Sequence, residues 1–462
     1  MSAHWRLRLA TLVLVILVLV PVPLVMASFD SPSEQMLSHA FGTVALMSMA
    51  LTVILSARLR VIDVVFGGLD KNYVVHKWLG LTAFAAMLVH DTFEAEVKGV
   101  PDLFGLHELA SDFGGWVYNS LLVLIAATFL HVIPYRWWRL SHRFMVAVFV
   151  LSMAHFVLIP KPLALQGFAG LYLLGFCGLG LIAALFALRP RSIPAPTPYV
   201  VTDVQHCEQF TQLTLSPKGR PLQHKAGQFA FLQLEGSSRR EAHPFTIASS
   251  PQEDGSMRFM ISRRIGWTNG ELRKVTSDQT IWIDGPYGQF LRRPGSSRQV
   301  WLSAGIGVTP FLAWAAEGLR PESHVDIVHI CRSRANAPDL SALETFAGNH
   351  PETVSLKIIE TERTGRPTPH QLMRFMRDIP GKVDLYFCGP RTFYDDVAQI
   401  CRDAKKGQFT VHHEAFELRG GLRLPTGLRQ HLVTLGDGLG MTQWLPKSLR
   451  TTADTREKVP DQ

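Results

Sequence analysis

The sequence predicts a multi-domain membrane protein: a six-helix transmembrane bundle, then an antiparallel β-barrel, then an α/β domain. Three observations carry that reading. Long apolar runs fill the chain before Arg189 and give way after Pro190 to short segments in which apolar and polar residues alternate. A proline-rich stretch, RPRSIPAPTPYV (189–200), separates the two regimes and suits an extended, semi-rigid linker. A glycine-rich turn, AGIGVTP (304–310), stands between a strand-like and a helix-like segment. The expected boundaries are a six-span domain over 1–190, a linker over 191–198, the barrel over 199–293 and the α/β domain over 294–418. A C-terminal extension, 419–462, ends in TTADTREKVPDQ, which reads as disordered.

Six segments approach the roughly 20 apolar residues that a span needs: 9–27, 36–56, 74–91, 114–133, 142–159 and 167–188. Loop charge orients them. Arg6, Arg8, Arg58, Arg60, Lys71, Lys77, Arg136, Arg139, Arg143, Arg189 and Arg191 fall on one side. The opposite loops carry Asp30, Glu34, Asp91, Glu94, Glu96, Asp102, Glu108 and Asp112, with only Lys98 and Lys161 basic. Both termini are therefore expected in the cytoplasm, with the chain in a plasma or inner membrane. This asymmetry also accounts for the net charge of +8 without a nucleic-acid partner. VMAS (25–28) leaves an alternative in which the first segment is a cleaved signal peptide. At about 18 apolar residues it is long for one, and a retained span is expected. The five cysteines form no CxxC pattern, and the four in the soluble half fit a reducing compartment.

The third segment, VVHKWLGLTAFAAMLVH (74–90), places His76 and His90 at its two ends. The fifth, LSHRFMVAVFVLSMAH (140–155), does the same with His142 and His155. Both run in the same direction, so His76 and His142 share the cytoplasmic level while His90 and His155 share the outer one. Each level can bind one haem between two neutral imidazoles. At 1.5 Å per residue, 14 residues span roughly 21 Å, which sets the levels near opposite faces of a core about 30 Å thick. A lone boundary histidine, such as His39, His107 or His131, reads as an interfacial polar residue; four paired by level read as ligands. Helical phase agrees for His76 and His90 but not for His142 and His155, so a π-bulge or local unwinding is expected in the fifth segment.

After the linker, VVTDVQHCEQFTQLTLS, GQFAFLQLEG, HPFTIAS, MRFMISRR and TIWIDG read as barrel strands, with EDGS (253–256) as a hairpin turn. DGPYGQF (284–290) follows a strand, with Gly285, Pro286 and Gly288 suited to tight geometry. In AGIGVTP, Gly305 and Gly307 let the backbone approach a pyrophosphate, Thr309 suits an N-cap and Pro310 the first helical position. VDIVHICRSRAN (325–336) ends its strand in Arg332 and Arg334, a cation pair suited to an NADP 2′-phosphate or, alternatively, ordinary surface charge. KVDLYFCGP (382–390) is a buried strand ending in Cys388, Gly389 and Pro390.

These features together resemble the ferric reductase and NADPH oxidase superfamily over residues from about 36 to 418, and FGGLDKNYVVHKWLG (66–80) adds to the likeness. The resemblance implies a ferredoxin-reductase-like FAD barrel and an NADPH domain. HPFTIASS (243–250) resembles the flavin signature, so His243, Pro244, Phe245 and Thr246 would contact FAD. RRIGWTNGEL (263–272) resembles the FAD pyrophosphate segment, with Arg263, Trp267 and Thr268 as its contacts and Arg264 an alternative to Arg263. DGPYGQF resembles the turn between the two soluble subdomains, and a cofactor contact by Gly285 and Pro286 is compatible with it. The turn at Cys388 would lie beside the nicotinamide, and Phe416 would cover the flavin. The implied cofactors are two b-type haems, FAD and NADPH, with NADH as a substitute donor. The implied function moves electrons from cytosolic NADPH to O2 or a ferric chelate outside, with no obligatory accessory subunit. An electron relay to another membrane protein or to quinone is the alternative, and a non-catalytic scaffold is a remote third.

Overall fold

The computed structural model describes residues 3–413 apart from 58, 94–95, 98, 103–104, 130–134, 189–195, 235–241, 264–269, 294–297, 319–323, 369–370, 373–380 and 404–407. Trp267, Thr268, Phe416 and the extension from 419 lie outside the described residues, as does most of the expected linker.

The apolar half folds as helices. α1 (Ala3–Leu19) is followed by α2 (Pro21–Met26), whose first turn takes Pro21, where a missing N–H costs nothing. α3 (Glu34–Ser56) starts on Ser33, whose hydroxyl accepts from the Met36 N–H at 3.2 Å. α4 (Arg60–Phe66) ends on Gly67 at φ 74°, a left-handed cap that turns the chain into α5 (Leu69–Thr92). Buried Asn72 donates to the Leu55 carbonyl at 3.0 Å and ties the start of α5 to the end of α3. α6 (His107–Phe129), α7 (Tyr135–Arg143), α8 (Met145–Leu158) and α9 (Phe168–Leu188) complete the bundle. Leu12, Ile16, Val123, Leu171 and Leu185 are half or more exposed, an outer surface suited to lipid.

Among the described residues, five stretches are long and apolar enough to cross a membrane: Leu7–Met26, Glu34–Ser56, His107–Thr128, Trp137–Leu158 and Phe168–Leu188. The third expected span is the exception. α5 has the length, but Asp70, Lys71, Asn72, His76 and Lys77 load its first turns, and His90 and Asp91 its last. It is a bundle helix by packing, burying Val75, Leu79, Ala83, Ala86 and Met87 at helical spacing.

Among the described residues the soluble half holds two sheets. β1 (Thr197–His206), β2 (Phe210–Pro217), β3 (Phe229–Leu234), β4 (His243–Thr246), β5 (Met257–Ser262) and β6 (Thr280–Tyr287) pair antiparallel in the order β4-β3-β6-β1-β2-β5. A bridge from Ile247 to Phe259 joins the two ends, so the barrel is nearly closed. Two expectations need correction. Thr197 and Pro198 are not linker: they pair with Ile283 and Trp282 and open β1. Gly285 and Pro286 are not a turn between subdomains. They lie inside β6, where pairing jumps from Phe231–Asp284 to Phe229–Tyr287, and this bulge seats Gly285 against Ala230.

The second sheet is parallel: β7 (Arg298–Ala304), β8 (His324–Cys331), β9 (Val354–Glu360), β10 (Val383–Cys388) and β11 (Phe409–His413), in the order β11-β10-β7-β8-β9. Helices α10 (Thr309–Glu317), α11 (Ser341–Asn349) and α12 (Arg391–Asp403) flank it. Trp301, Phe311, Trp314 and Tyr386 pack its core together with barrel residues Ala226, Ala248, Met260 and Phe290. The Trp314 indole N–H donates to the Ala226 carbonyl at 3.1 Å across that joint.

Candidate functional site

The four bundle histidines meet in the expected pairs. The rings of His76 and His142 lie 6.1 Å apart between centres, and those of His90 and His155 lie 6.3 Å apart. Two imidazoles, each about 2.0–2.1 Å from one shared metal, put their ring centres about 6 Å apart, so both pairs fit axial ligation of one iron. Among the described residues, no three of His, Cys, Asp and Glu converge as a metal site, so the geometry is that of ligand pairs alone. Three rings are oriented by backbone. His76 Nδ1 meets the Thr52 carbonyl at 3.0 Å, His90 Nδ1 the Ser38 carbonyl at 2.8 Å and His155 Nδ1 the Ala110 carbonyl at 2.7 Å. A carbonyl can only accept, so each Nδ1 carries the proton and Nε2 keeps the lone pair that a metal needs. The fourth ring, His142, stacks on Trp138 at 5.2 Å.

The expected π-bulge or unwinding in the fifth segment is not what the structure has at its joint. α7 ends at Arg143 and α8 begins at Met145. Between them the Phe144 N–H reaches back only three residues, to Ser141 O at 3.0 Å, which tightens the winding instead of loosening it. His142 thus belongs to a separate helix from His155, and the phase of one ideal helix does not apply to the pair.

The flavin motif is strand β4, in register with β3: Phe229 opposite Thr246, Ala230 opposite Phe245, Phe231 opposite Pro244 and Leu232 opposite His243. Phe229, Phe231 and Tyr287 pack with Leu69 and Tyr73 at the start of α5. Tyr73 in turn stands edge-on to His76 at 6.5 Å. An unbroken packed path thus runs from the strand beside HPFT to the inner histidine pair. No sequence signal singled out Leu69 or Tyr73. At the end of β5, the Arg263 guanidinium donates to the Cys207 carbonyl, and its backbone N–H bonds Gln209 O at 2.8 Å.

In the parallel sheet the strand order reverses between β7 and β10, which makes their carboxyl ends the switch point where open α/β sheets bind ligands. AGIGVTP and CGP meet there. Gly305 sits at φ 57°, and a Cβ on Gly307 would come within 2.3 Å of the Cys388 carbonyl oxygen. A Cβ on Gly389 would press on Ala304 at 3.2 Å. Gly307 is required by this backbone approach, whereas Gly389 is closely fitted against the Ala304 and Phe387 side chains. Thr309 is not the N-cap: a short three-residue-per-turn helix, Gly305–Val308, runs straight into α10. Thr309 is the first α-helical residue, with its hydroxyl turned back on the Ile306 carbonyl at 3.1 Å, and Pro310 follows in the first turn as expected. Pro390 leads into α12. Cys388 is buried, opposite Ser303 on β7, and Ser303 in turn is opposite His329 on β8. Burial pushes the pKa of His329 down to about 4, and its Nδ1 lies 2.9 Å from the Ser303 hydroxyl. Arg332 and Arg334 stand exposed beyond the carboxyl end of β8, engaged by Glu362 and Glu344.

Residues 41–153 match the ferric reductase like transmembrane component, a span that includes His76, His90 and His142 and stops two residues before His155. Residues 200–290 match the FAD-binding domain. The carnitine monooxygenase reductase subunit of Escherichia coli (strain K12) is 23% identical over 219 residues, 46% of this chain. This chain covers 65% of that reductase, just under two thirds. A superoxide-generating NADPH oxidase heavy chain from Dictyostelium discoideum is 23% identical over 406 residues, 70% of this chain and 76% of that one. NADPH oxidase 3 of Rattus norvegicus is 32% identical over 160 residues, 29% of this chain and 26% of its own. With a ferric-reductase-like membrane component and an FAD-binding domain joined in one polypeptide, the chain belongs to the ferric reductase and NADPH oxidase superfamily.

Proposed function

We propose that this chain transfers electrons across a cell membrane, from cytosolic NADPH through FAD and two bis-histidine haems to a small acceptor on the outer face, O2 or a ferric chelate. The observation that carries the reading is the pair of histidine levels in the bundle, in the same chain as the flavin barrel and the parallel sheet. Flavin supplies the conversion of a hydride pair into single electrons, and haem supplies one-electron transfer.

The residues divide that work. The backbone of Gly305–Val308 and the start of α10 would hold a pyrophosphate, and Thr309 and Pro310 fix the turn that would present them. Gly307 and Gly389 let the two turns close on each other, which holds Cys388 where the nicotinamide would lie. β4 offers His243 to Thr246 to the flavin, while Phe229, Phe231 and Tyr287 seal the barrel against α5 and exclude water between the flavin strand and His76. His76 with His142, and His90 with His155, would hold one haem at each level through Nε2. With two imidazoles given to each iron, the chain would leave an acceptor no site on the metal. Both termini are cytoplasmic in this reading, and no accessory subunit is needed.

The test is NADPH oxidation by purified protein in detergent with added FAD. Cytochrome c reduction is followed with and without superoxide dismutase, and in parallel with a ferric chelate. Turnover sensitive to the dismutase identifies O2 as acceptor, and dismutase-resistant chelate reduction identifies iron. A preparation with bound haem and flavin that reduces neither until a quinone or second protein is added would replace this reading with an electron relay.

A further inference from the structure

The two histidine levels are built differently, and the difference lies on helices that carry no ligand. At the outer level His90 packs on α3 and His155 on α6. In both cases Nδ1 reaches the carbonyl of one residue and the ring lies over a glycine four residues later: Ser38 then Gly42, Ala110 then Gly114. Residues four apart share a helix face, and the carbonyl of the first already accepts from the N–H of the second. An outside donor must therefore use the carbonyl's second lone pair, passing beside the α-carbon of the second residue. A Cβ on Gly42 would stand 3.1 Å from His90 Nδ1, and one on Gly114 would stand 2.9 Å from His155 Cε1. The His155 ring would have to shift, and the His90 ring would have to give by a few tenths of an ångström. Ser38 adds its hydroxyl, 2.9 Å from His90 Nδ1.

The inner level has no such device. His76 meets the Thr52 carbonyl at 3.0 Å, but the residue four later is Ser56, whose hydroxyl folds back on Val53 O at 2.6 Å. His142 Nδ1 is buried with no hydrogen-bond partner among the described residues.

We propose that Gly42 and Gly114 are positioning residues for the outer iron alone, a matched pair of carbonyl-and-glycine clamps that fix the tautomer and direction of His90 and His155. This inference rests on reading the histidine pairs as haem ligands.

The experiment compares Gly114→Ala, Gly42→Ala and Gly115→Ala with the wild-type chain. Gly115 is the control. It lies on the same helix, and a Cβ there meets nothing within 4 Å. Haem per flavin is measured by pyridine haemochrome, and low-spin ferric signals by electron paramagnetic resonance, on preparations matched for FAD content and thermal unfolding. Gly114→Ala and Gly42→Ala are each expected to lose about half of the haem, or to convert one low-spin signal while the other stays. Gly115→Ala is expected to match wild type. If all three variants match wild type, or if Gly115→Ala loses haem as fully as Gly114→Ala, the clamp is overturned. Should Gly114→Ala fail to accumulate, Gly42→Ala on the other helix decides alone. A wild-type preparation without haem removes the underlying reading instead, a result distinguishable at once from failure of the clamp.

Discussion

Histidines are withdrawn from water in both halves of this chain, partly in the bundle and wholly in the parallel sheet, to opposite ends. In the bundle they come as two pairs, ring against ring, three of them held through Nδ1 by a backbone carbonyl. In the parallel sheet His329 is fully buried beside a hydroxyl, that of Ser303. Burial alone does not assign the roles. The neighbour does: a second imidazole at a metal's width makes a ligand pair, whereas the Ser303 hydroxyl occupies Nδ1 of His329 and leaves its buried Nε2 with no hydrogen-bond partner among the described residues.

Removing a ligand breaks the comparison most directly. His155→Leu should abolish acceptor reduction outside the membrane, a loss well beyond the ~10–100-fold typical of disturbing a ligand's supporting group. The inner low-spin signal and anaerobic flavin reduction by NADPH should persist. Undiminished reduction of O2 or ferric chelate in this variant would mean that the outer pair is not on the route.

His329 should behave in the opposite manner, through stability rather than turnover. An unfolded histidine takes up its proton near 6.5, whereas burial holds His329 down to about 4. Over that window the unfolded chain binds the proton and the folded chain does not. The stabilisation is therefore complete above pH 6.5 and lost as pH falls toward 4, by up to about 3 kcal/mol. Thermal unfolding in detergent between pH 7.5 and 4.5 should show this slope, and His329→Gln should flatten it with haem content unchanged. An equally steep acid slope in the variant would assign the sensitivity to other groups.

Much of this architecture is legible in residue pattern. The histidine pairing follows from spacing and loop charge, because a bilayer forces helices and one period governs which side chains share a level. The break at Phe144 is legible as a phase conflict, but the conflict suggests a π-bulge or unwinding where the structure has a tightened turn between two helices. Other features are hidden for physical reasons. Gly42 and Gly114 look like any small residue in a span, and only the approach of a distant ring gives them a role. The bulge at Gly285 and Pro286 depends on register with β3, which no local motif states. Thr309 carries every mark of an N-cap, yet the turn before it is already helical. Leu69 and Tyr73 matter through barrel residues more than 150 positions away.

Cys388 sharpens the comparison from the donor side. It lies in a row with Ser303 and His329, and within that row it is the residue whose carbonyl closes against Gly307. Cys388→Ala should slow anaerobic flavin reduction by NADPH roughly 10-fold, since small misplacements of a reacting pair carry penalties up to about 100-fold. Both haem signals should be untouched. An unchanged rate would make Cys388 a packing residue like its neighbours in the row.

The smallest expected effect concerns Arg332 and Arg334, which sit on the surface rather than in a core. Arg332 pairs with Glu362 at 2.7 Å with its side chain 69% exposed, and Arg334 pairs with Glu344 at 56%. Exposed pairs contribute about 0–1 kcal/mol, so breaking either should leave thermal stability nearly unchanged. A 2′-phosphate is a stronger partner than one carboxylate, because it offers more acceptor oxygens and more charge to a guanidinium. The carboxylates would then yield when NADPH binds. Replacing an arginine that exchanges partners in this way should raise KM for NADPH by about 10-fold, as expected for a charge-assisted bond of about 1.5 kcal/mol, and leave KM for NADH in place. Arg334 is the better placed for such an exchange, since its own backbone N–H is anchored to Glu360 at 3.0 Å while its side chain stays exposed. Parallel titrations of Arg332→Ala and Arg334→Ala with both nucleotides decide it. Equal changes for NADPH and NADH in both variants would return the two arginines to ordinary surface charge and place the discrimination elsewhere on the carboxyl edge of the sheet.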